Sequence, residues 1–290
     1  MKDYLFTGAC TAMVTPFCDG KVNYSMLEKL LQRQCDAGIE AIVLSGTTGE
    51  SPTLSDHEKV SMFQFAKACV GSSCKIIAGT GSNSTAHAVE LSISAQQAGV
   101  DALLIVTPYY NKATASGLYS HFEAIAYAVD IPIMTYNVPS RTTVDIPIDI
   151  YHRLTQLPNV VGTKEASSDI TKITKIRAKC GNDFAIWSGN DDMTVPAIAL
   201  GAKGVVSVLS NVLPNETQAL CRAALNGDFS TASTLQMKFQ PLVELLFSEV
   251  NPIPVKEAMR IIGFDCGGCR LPLTPMSSEK KGKLKEVLNI

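Results

Sequence analysis

The chain has 290 residues, 46% of them hydrophobic and 18% charged, with a formal net charge of −2 at pH 7. That length holds a sizeable core in one large α/β domain or two average ones, and the composition is that of a globular enzyme rather than a disordered chain. The near-neutral balance gives no support to nucleic-acid binding.

The start, Met1 to Phe6, lacks the apolar core of a signal peptide, and no run reaches the roughly 18 apolar residues of a membrane span, so a cytoplasmic location with no membrane partner is expected. The nine cysteines are an odd number without a disulfide-framework spacing, and most read as small buried hydrophobes. Cys266-Gly267-Gly268-Cys269 stands apart, either as a glycine-rich turn with incidental thiols or as a local oxidisable pair.

Taken in order, eight short runs rich in Val, Ile, Ala and Leu recur: Ala9 to Val14, Ala41 to Ser45, Lys75 to Gly79, Ala102 to Thr107, Ile131 to Tyr136, Val160 to Lys164, Phe184 to Ser188 and Gly204 to Val208. Their continuous apolar character, without alternation, predicts strands buried on both faces, as in a parallel sheet. Between them lie helical patterns. Leu27, Leu30, Leu31 and Cys35 share one face; Ser55 and Glu58 form a capping box ahead of Met62, Phe65, Ala66 and Cys69; Ser84, Ser168 and Asn190 are candidate caps for later helices. Eight β-then-α units without a linker predict a closed (β/α)8 TIM barrel over residues 1–225. From 226 to 290 the pattern becomes a helical extension, with helices at Phe229 to Val250 and Pro254 to Ile262 joined by a bend at Asn251-Pro252-Ile253-Pro254.

A barrel places its active-site groups at the C-terminal strand ends and in the loops that follow. The second run ends in Ser45-Gly46-Thr47-Thr48-Gly49-Glu50-Ser51, a tight loop whose N–H groups and hydroxyls either converge on a carboxylate or only connect strand to helix. The fourth runs into Thr107-Pro108-Tyr109-Tyr110-Asn111. The fifth runs into Tyr136-Asn137-Val138-Pro139-Ser140-Arg141-Thr142, where Arg141 offers a fork for a carboxylate. The sixth carries Lys164. Burial disfavours a charged lysine and a neutral amine is a nucleophile, which suits Schiff-base chemistry; snorkelling to the surface or pairing with Glu165 explains the local sequence equally well. Glu165, one residue on, should point away from Lys164 if the strand continues.

Gly79-Thr80-Gly81-Ser82-Asn83-Ser84 has the outline of a dinucleotide loop, but Ser84 replaces its last glycine and Asp101 precedes the next strand, so no nucleotide cofactor is expected. His57, His87, His121 and His152 lie far apart without ligand spacing. A metal-dependent aldolase is therefore disfavoured and the lysine route gains weight.

In that order, Gly46-Thr47-Thr48-Gly49-Glu50-Ser51, Tyr136 to Thr142 and Gly162-Thr163-Lys164-Glu165-Ala166-Ser167 closely resemble the 4-hydroxy-tetrahydrodipicolinate synthase family of the N-acetylneuraminate lyase superfamily. The resemblance extends over almost the whole chain, including Gly204 to Val208 and Asn251 to Lys256. It implies a pyruvate-dependent lyase of lysine and diaminopimelate synthesis, in which pyruvate condenses on Lys164 and the enamine attacks L-aspartate 4-semialdehyde. By the same resemblance Tyr136 is the proton donor and acceptor, with Thr47 and Tyr110 completing its relay. Tyr110 would come from a neighbouring subunit, which implies a homotetramer built as a dimer of dimers. Thr48 and the backbone at Val206 would hold pyruvate, and Arg141 the semialdehyde carboxylate.

Lysine-inhibited members bind lysine at positions that align with Ser51, Pro52, Asp56, Lys59, Asn83, His87 and Tyr109. Here His87 stands where an acidic residue is expected and Lys59 replaces a histidine, which predicts weak or absent lysine feedback with Asp56 as a partial substitute. The rival readings are a sialic-acid or keto-deoxy-sugar acid aldolase within the superfamily, and a noncatalytic ligand-binding barrel.

Overall fold

The computed structural model describes residues 4–288. Eight parallel strands close into a barrel: β1 Gly8–Ala12, β4 Ala41–Leu44, β5 Lys75–Gly79, β6 Ala102–Val106, β7 Ile133–Asn137, β8 Val160–Glu165, β9 Ala185–Ser188 and β10 Gly204–Ser207, each beside its neighbour in sequence and β1 closing onto both β4 and β10. A small antiparallel hairpin, β2 Phe17–Cys18 with β3 Lys21–Val22, sits outside the barrel.

The helices between strands form the outer layer. They are α1 Tyr24–Asp36, α2 Asp56–Val70, α3 Thr85–Gln97, α4 Ala115–Ala128, the single turn α5 Pro139–Thr142, α6 Ile148–Leu154, α7 Thr171–Cys180, α8 Thr194–Ala199 and α9 Pro214–Leu225. In α1, Leu27, Leu30 and Leu31 are fully buried, each worth about 1.5–3 kcal/mol of apolar burial. The Ser55–Glu58 capping box at the start of α2 closes in both directions.

Side chains alternate across the barrel wall. Those facing the axis, among them Cys10, Val43, Leu104, Met134, Tyr136, Trp187 and Val206, make one cluster. Those facing outward, such as Ile42, Leu103, Ile133, Ile186 and Val205, join a larger one that runs between sheet and helices. Trp187 fills the interior, stacks on Phe6 at 4.8 Å and donates its indole N–H to the Phe6 carbonyl at 3.2 Å. Gly162 makes room for it: a Cβ there would lie 2.8 Å from Trp187 Cζ3.

Several boundaries differ from expectation. β1 stops at Ala12, not Val14, because the Val14 N–H goes to the Asn211 side chain at 3.1 Å. β7 begins after Pro132, which has no N–H for the ladder. Ser84 does cap α3, but Ser168 does not cap α7, which starts later, at Thr171, with the Thr171 N–H taken by Asp169 at 2.9 Å. Asn190 caps nothing with its side chain; its amide donates to the Ser167 carbonyl instead.

After α9 come α10 Phe229–Leu246, α11 Ile253–Ile261 and α12 Ser278–Val287. α10 ends four residues short of Val250 and tolerates Pro241 inside it. α11 places Pro254 in its first turn, where a missing N–H costs nothing. Leu242, Val255, Met259 and Leu284 from these helices belong to the same core cluster as the barrel's outer residues. The nine cysteines are free: Cys10, Cys74, Cys221 and Cys266 are buried, Cys18 is exposed and the other four are half-buried. No helix among the described residues is long and apolar enough to cross a membrane.

Candidate active site

At the C-terminal end of the barrel, Tyr136 on β7 and Lys164 on β8 are register partners, and both side chains face the axis. Each is 6% exposed, and the lysine Nζ lies 4.4 Å from the centre of the tyrosine ring. The lysine does not snorkel and has no carboxylate partner among the described residues. Gly189, after β9, clears its path: a Cβ there would lie 3.0 Å from Lys164 Cε.

Glu165 lies behind the wall, as alternation requires. Its carboxylate accepts from Asn137 Nδ2 at 3.0 Å, the Tyr151 hydroxyl at 2.8 Å and the Ser167 N–H at 2.8 Å. Burial, reinforced by the charge on Glu165, pushes the Tyr151 phenol well above its ordinary value, so it stays a donor. Asn137 also donates to Asp145, which pairs with Lys172. This network fixes the ends of β7 and β8 from outside, where Tyr136 and Lys164 are mounted.

The loop after β4 folds on itself, with Gly49 and Ser51 N–H groups both donating to the Gly46 carbonyl. Thr47 is partly exposed and Thr48 buried. The Thr48 hydroxyl accepts from Asn251 Nδ2 at 3.0 Å. Glu50 closes the loop with left-handed backbone, φ 56°, and a buried carboxylate. Lys256 Nζ is 2.6 Å from its Oε1 and the Arg270 N–H donates to its Oε2 at 2.8 Å. Arg270 also pairs with Glu58, whose carboxyl this hydrogen bond holds down at about 2. The C-terminal segment thus grips the loop at both Thr48 and Glu50.

The other expected residues are placed less compactly. Val206 lines the inner cluster on β10. The segment after β10 is anchored by Asp191, whose buried carboxylate accepts the Val208 and Leu209 N–H groups at 2.9 and 3.0 Å. Burial raises the Asp191 carboxyl, opposed by its hydrogen bonds with Ser207, Leu209 and Val208 and by the Lys164 charge. Arg141 sits exposed on α5 without an ion-pair partner among the described residues. Tyr110 is 86% exposed, with φ 74°. It projects away from its own chain, so the structure does not bring it to Tyr136 within one molecule.

Among the expected regulatory positions, Asp56, Lys59 and His87 come together. Asp56 accepts from Lys59 at 3.2 Å and contacts His87 Nε2 at 2.8 Å, while His87 Nδ1 contacts the Ser82 hydroxyl. Partial burial raises the Asp56 carboxyl, but the bonds and charges of His87 and Lys59 outweigh it and hold the group below its usual range. Ser51 bonds Ser45, whereas Pro52, Asn83 and Tyr109 stand exposed.

Asn251, Lys256 and Asp191 carry no role in the sequence reading. Asn251 falls in the expected bend and Lys256 in the expected helix after it; the one available signal is a lysine at a position where α11 turns an apolar face inward.

The sequence matches the Dihydrodipicolinate synthetase family over residues 5–290. It is 46% identical over 286 residues to the 4-hydroxy-tetrahydrodipicolinate synthase of Thermoanaerobacter sp. (strain X514), covering 98% of this chain and 96% of that protein. The crystal structure of dihydrodipicolinate synthase from Aquifex aeolicus is similar at TM-score 0.96 and 46% identity, over 98% of this chain and 97% of that one. That of the chloride inhibited dihydrodipicolinate synthase from Acinetobacter baumannii complexed with pyruvate is similar at TM-score 0.96 and 41% identity, over 98% of each chain.

Proposed function

The chain belongs to the dihydrodipicolinate synthetase family, and from that premise we propose that it condenses pyruvate with L-aspartate 4-semialdehyde through an imine on Lys164. The observation that carries the reading is the buried lysine amine against the Tyr136 ring, at the open end of the barrel.

The unprotonated Lys164 amine adds to C2 of pyruvate, and the resulting carbinolamine loses water to give the iminium. This is an electron sink: loss of a proton from C3 gives the enamine. C3 then forms a bond to the aldehyde carbon of the semialdehyde, whose oxygen takes up a proton. Finally the semialdehyde's amino group adds to C2 and the Lys164 amine leaves, closing the ring and regenerating the enzyme. One water is released overall and no redox partner is needed.

Each step moves a proton near Lys164, and the Tyr136 phenol is the nearest hydroxyl-bearing ring. A phenol shuttles protons without resting as a charge. Thr47 extends the relay, and Tyr110, exposed on its own chain, completes the relay of a second copy. This supports at least a dimer, the unit from which the proposed homotetramer, a dimer of dimers, is built. Thr48 and the Val206 backbone hold the pyruvate carboxylate, and the exposed Arg141 guanidinium takes that of the semialdehyde. The enzyme works in the cytoplasm, in lysine and diaminopimelate synthesis. The relatives described above are synthases, so a sugar-acid aldolase has no comparable support.

The reading is tested by borohydride reduction with pyruvate, followed by peptide mass mapping and an assay with aspartate semialdehyde. An adduct on Lys164 and turnover are expected; a folded protein that yields no adduct at Lys164 overturns the mechanism.

A further inference from the structure

Asn251 lies far from the barrel strands in sequence, yet its side chain reaches the candidate pyruvate site. Its Nδ2 donates to Thr48 Oγ1 at 3.0 Å, with Asn251 6% and Thr48 3% exposed. Its Oδ1 is buried and has no hydrogen-bond partner among the described residues. Burying half an amide unsatisfied is costly, and a purely structural contact would be served better by an apolar side chain.

We infer that Asn251 is a positioning residue that fixes the polarity of the Thr48 hydroxyl. A hydroxyl has one hydrogen to donate and two lone pairs. Asn251 N–H occupies a lone pair, which leaves the Thr48 hydrogen free to point at an acceptor. Pyruvate's carboxylate is acceptor-only, so the arrangement presets Thr48 as a donor before substrate arrives. Both side chains are buried, a low-dielectric setting in which the hydrogen bond between them is strengthened. Asn251 is itself held: five residues later, Lys256 forms its buried ion pair with Glu50 at the far end of the same loop. The inference rests on the reading of Thr48 as a pyruvate ligand.

The test compares the intact protein with Asn251→Ala, Asn251→Asp, Thr48→Val and the Thr48→Val/Asn251→Ala double variant. Each is measured for steady-state kinetics in both substrates, for pyruvate-dependent borohydride trapping and for thermal unfolding. Asn251→Ala is expected to raise the pyruvate KM about tenfold, the loss of one hydrogen bond that orients a charged group, with the semialdehyde KM within about twofold. Asn251→Asp, nearly isosteric, is expected to raise it about a hundredfold, because its carboxylate captures the Thr48 hydrogen and repels pyruvate. In the Thr48→Val background, Asn251→Ala should add nothing.

Multiplicative effects in the double variant, an unchanged pyruvate KM, or equal kcat losses in Asn251→Ala and Asn251→Asp would overturn the inference. If Asn251→Ala does not fold, the isosteric Asn251→Asp still decides it. Failure of the unaltered protein to form a Lys164 adduct overturns the functional reading and this inference together. A normal adduct with unchanged pyruvate dependence in the variants overturns the inference alone.

Discussion

Lys164 Nζ sits over the face of the Tyr136 ring, 4.4 Å from its centre, on the adjacent strand at the same register. Nucleophile and proton carrier are thus fixed to one wall of the barrel, and the two substitutions should fail differently. Lys164→Ala is expected to lower kcat/KM by about 10⁴-fold or more while the far-ultraviolet circular dichroism stays that of the folded barrel. Tyr136→Phe should still trap pyruvate on Lys164 but lose about 10²–10³-fold in kcat, the usual share of a positioned acid–base group. An unchanged kcat in Tyr136→Phe would show that the phenol takes no part in moving protons.

Tyr110 offers a test of assembly. With 86% of its surface exposed on its own chain, it is available to a neighbouring subunit. Tyr110→Phe should cost about 10²-fold in kcat. Mixing unfolded Tyr110→Phe and Lys164→Ala chains and refolding them together should restore part of the activity, since a hybrid pair holds one complete site. No recovery in chains that demonstrably co-assemble would place the relay within one subunit.

The barrel was legible because its strands are buried on both faces and so read as continuous apolar runs. Lys164 was legible because a lysine ending such a run demands an explanation, and Glu165 because alternation sends it outward to Asn137 and Tyr151. What escaped was non-local or very short. The β2–β3 hairpin has only two residues per strand. Ser168 and Asp169 are both cap-forming types, and only the backbone path puts Asp169 against the Thr171 N–H. Asn251 and Lys256 reach a loop some two hundred residues earlier, a pairing that no local periodicity encodes.

The Glu50–Lys256 pair should dominate the stability of that junction. With side chains 0% and 3% exposed, removing either partner leaves a charge buried alone. Glu50→Gln or Lys256→Met is expected to cost about 3–5 kcal/mol, a fall of roughly 10 °C in Tm. The double variant should lose clearly less than the sum, because each change removes the same interaction. Additive losses, read by denaturant titration, would mean that the two residues act separately.

The Asp56–His87–Lys59 cluster argues for weak lysine feedback. An incoming ammonium needs an uncommitted carboxylate, but Asp56 is already bonded to His87 and to Lys59. The Lys59 amine adds repulsion. Titration calorimetry and inhibition assays should show no lysine effect below about 1 mM, whereas Lys59→His combined with His87→Glu should strengthen lysine binding. Submillimolar inhibition of the unaltered protein would refute this.

His121 makes stability depend on pH in a predictable direction. Its Nδ1 contacts the Thr85 hydroxyl at 2.9 Å, its Nε2 is buried without a hydrogen-bond partner among the described residues, and burial pushes its pKa from 6.5 down to about 4. The unfolded chain therefore binds a proton in that interval while the native protein does not. Stability is complete above the unfolded value and is lost as pH falls from 6.5 towards 4, by at most about 3 kcal/mol. Glu58, held at about 2 by Arg270 against an ordinary 4.5, contributes its own loss only below that ordinary value, so the two windows are largely separate. Urea titrations at half-unit steps should show a decline that starts near neutrality, and His121→Asn, which keeps a partner for Thr85, should flatten the upper part of it. An equal slope in the variant between pH 6.5 and 5 would assign the decline to other groups.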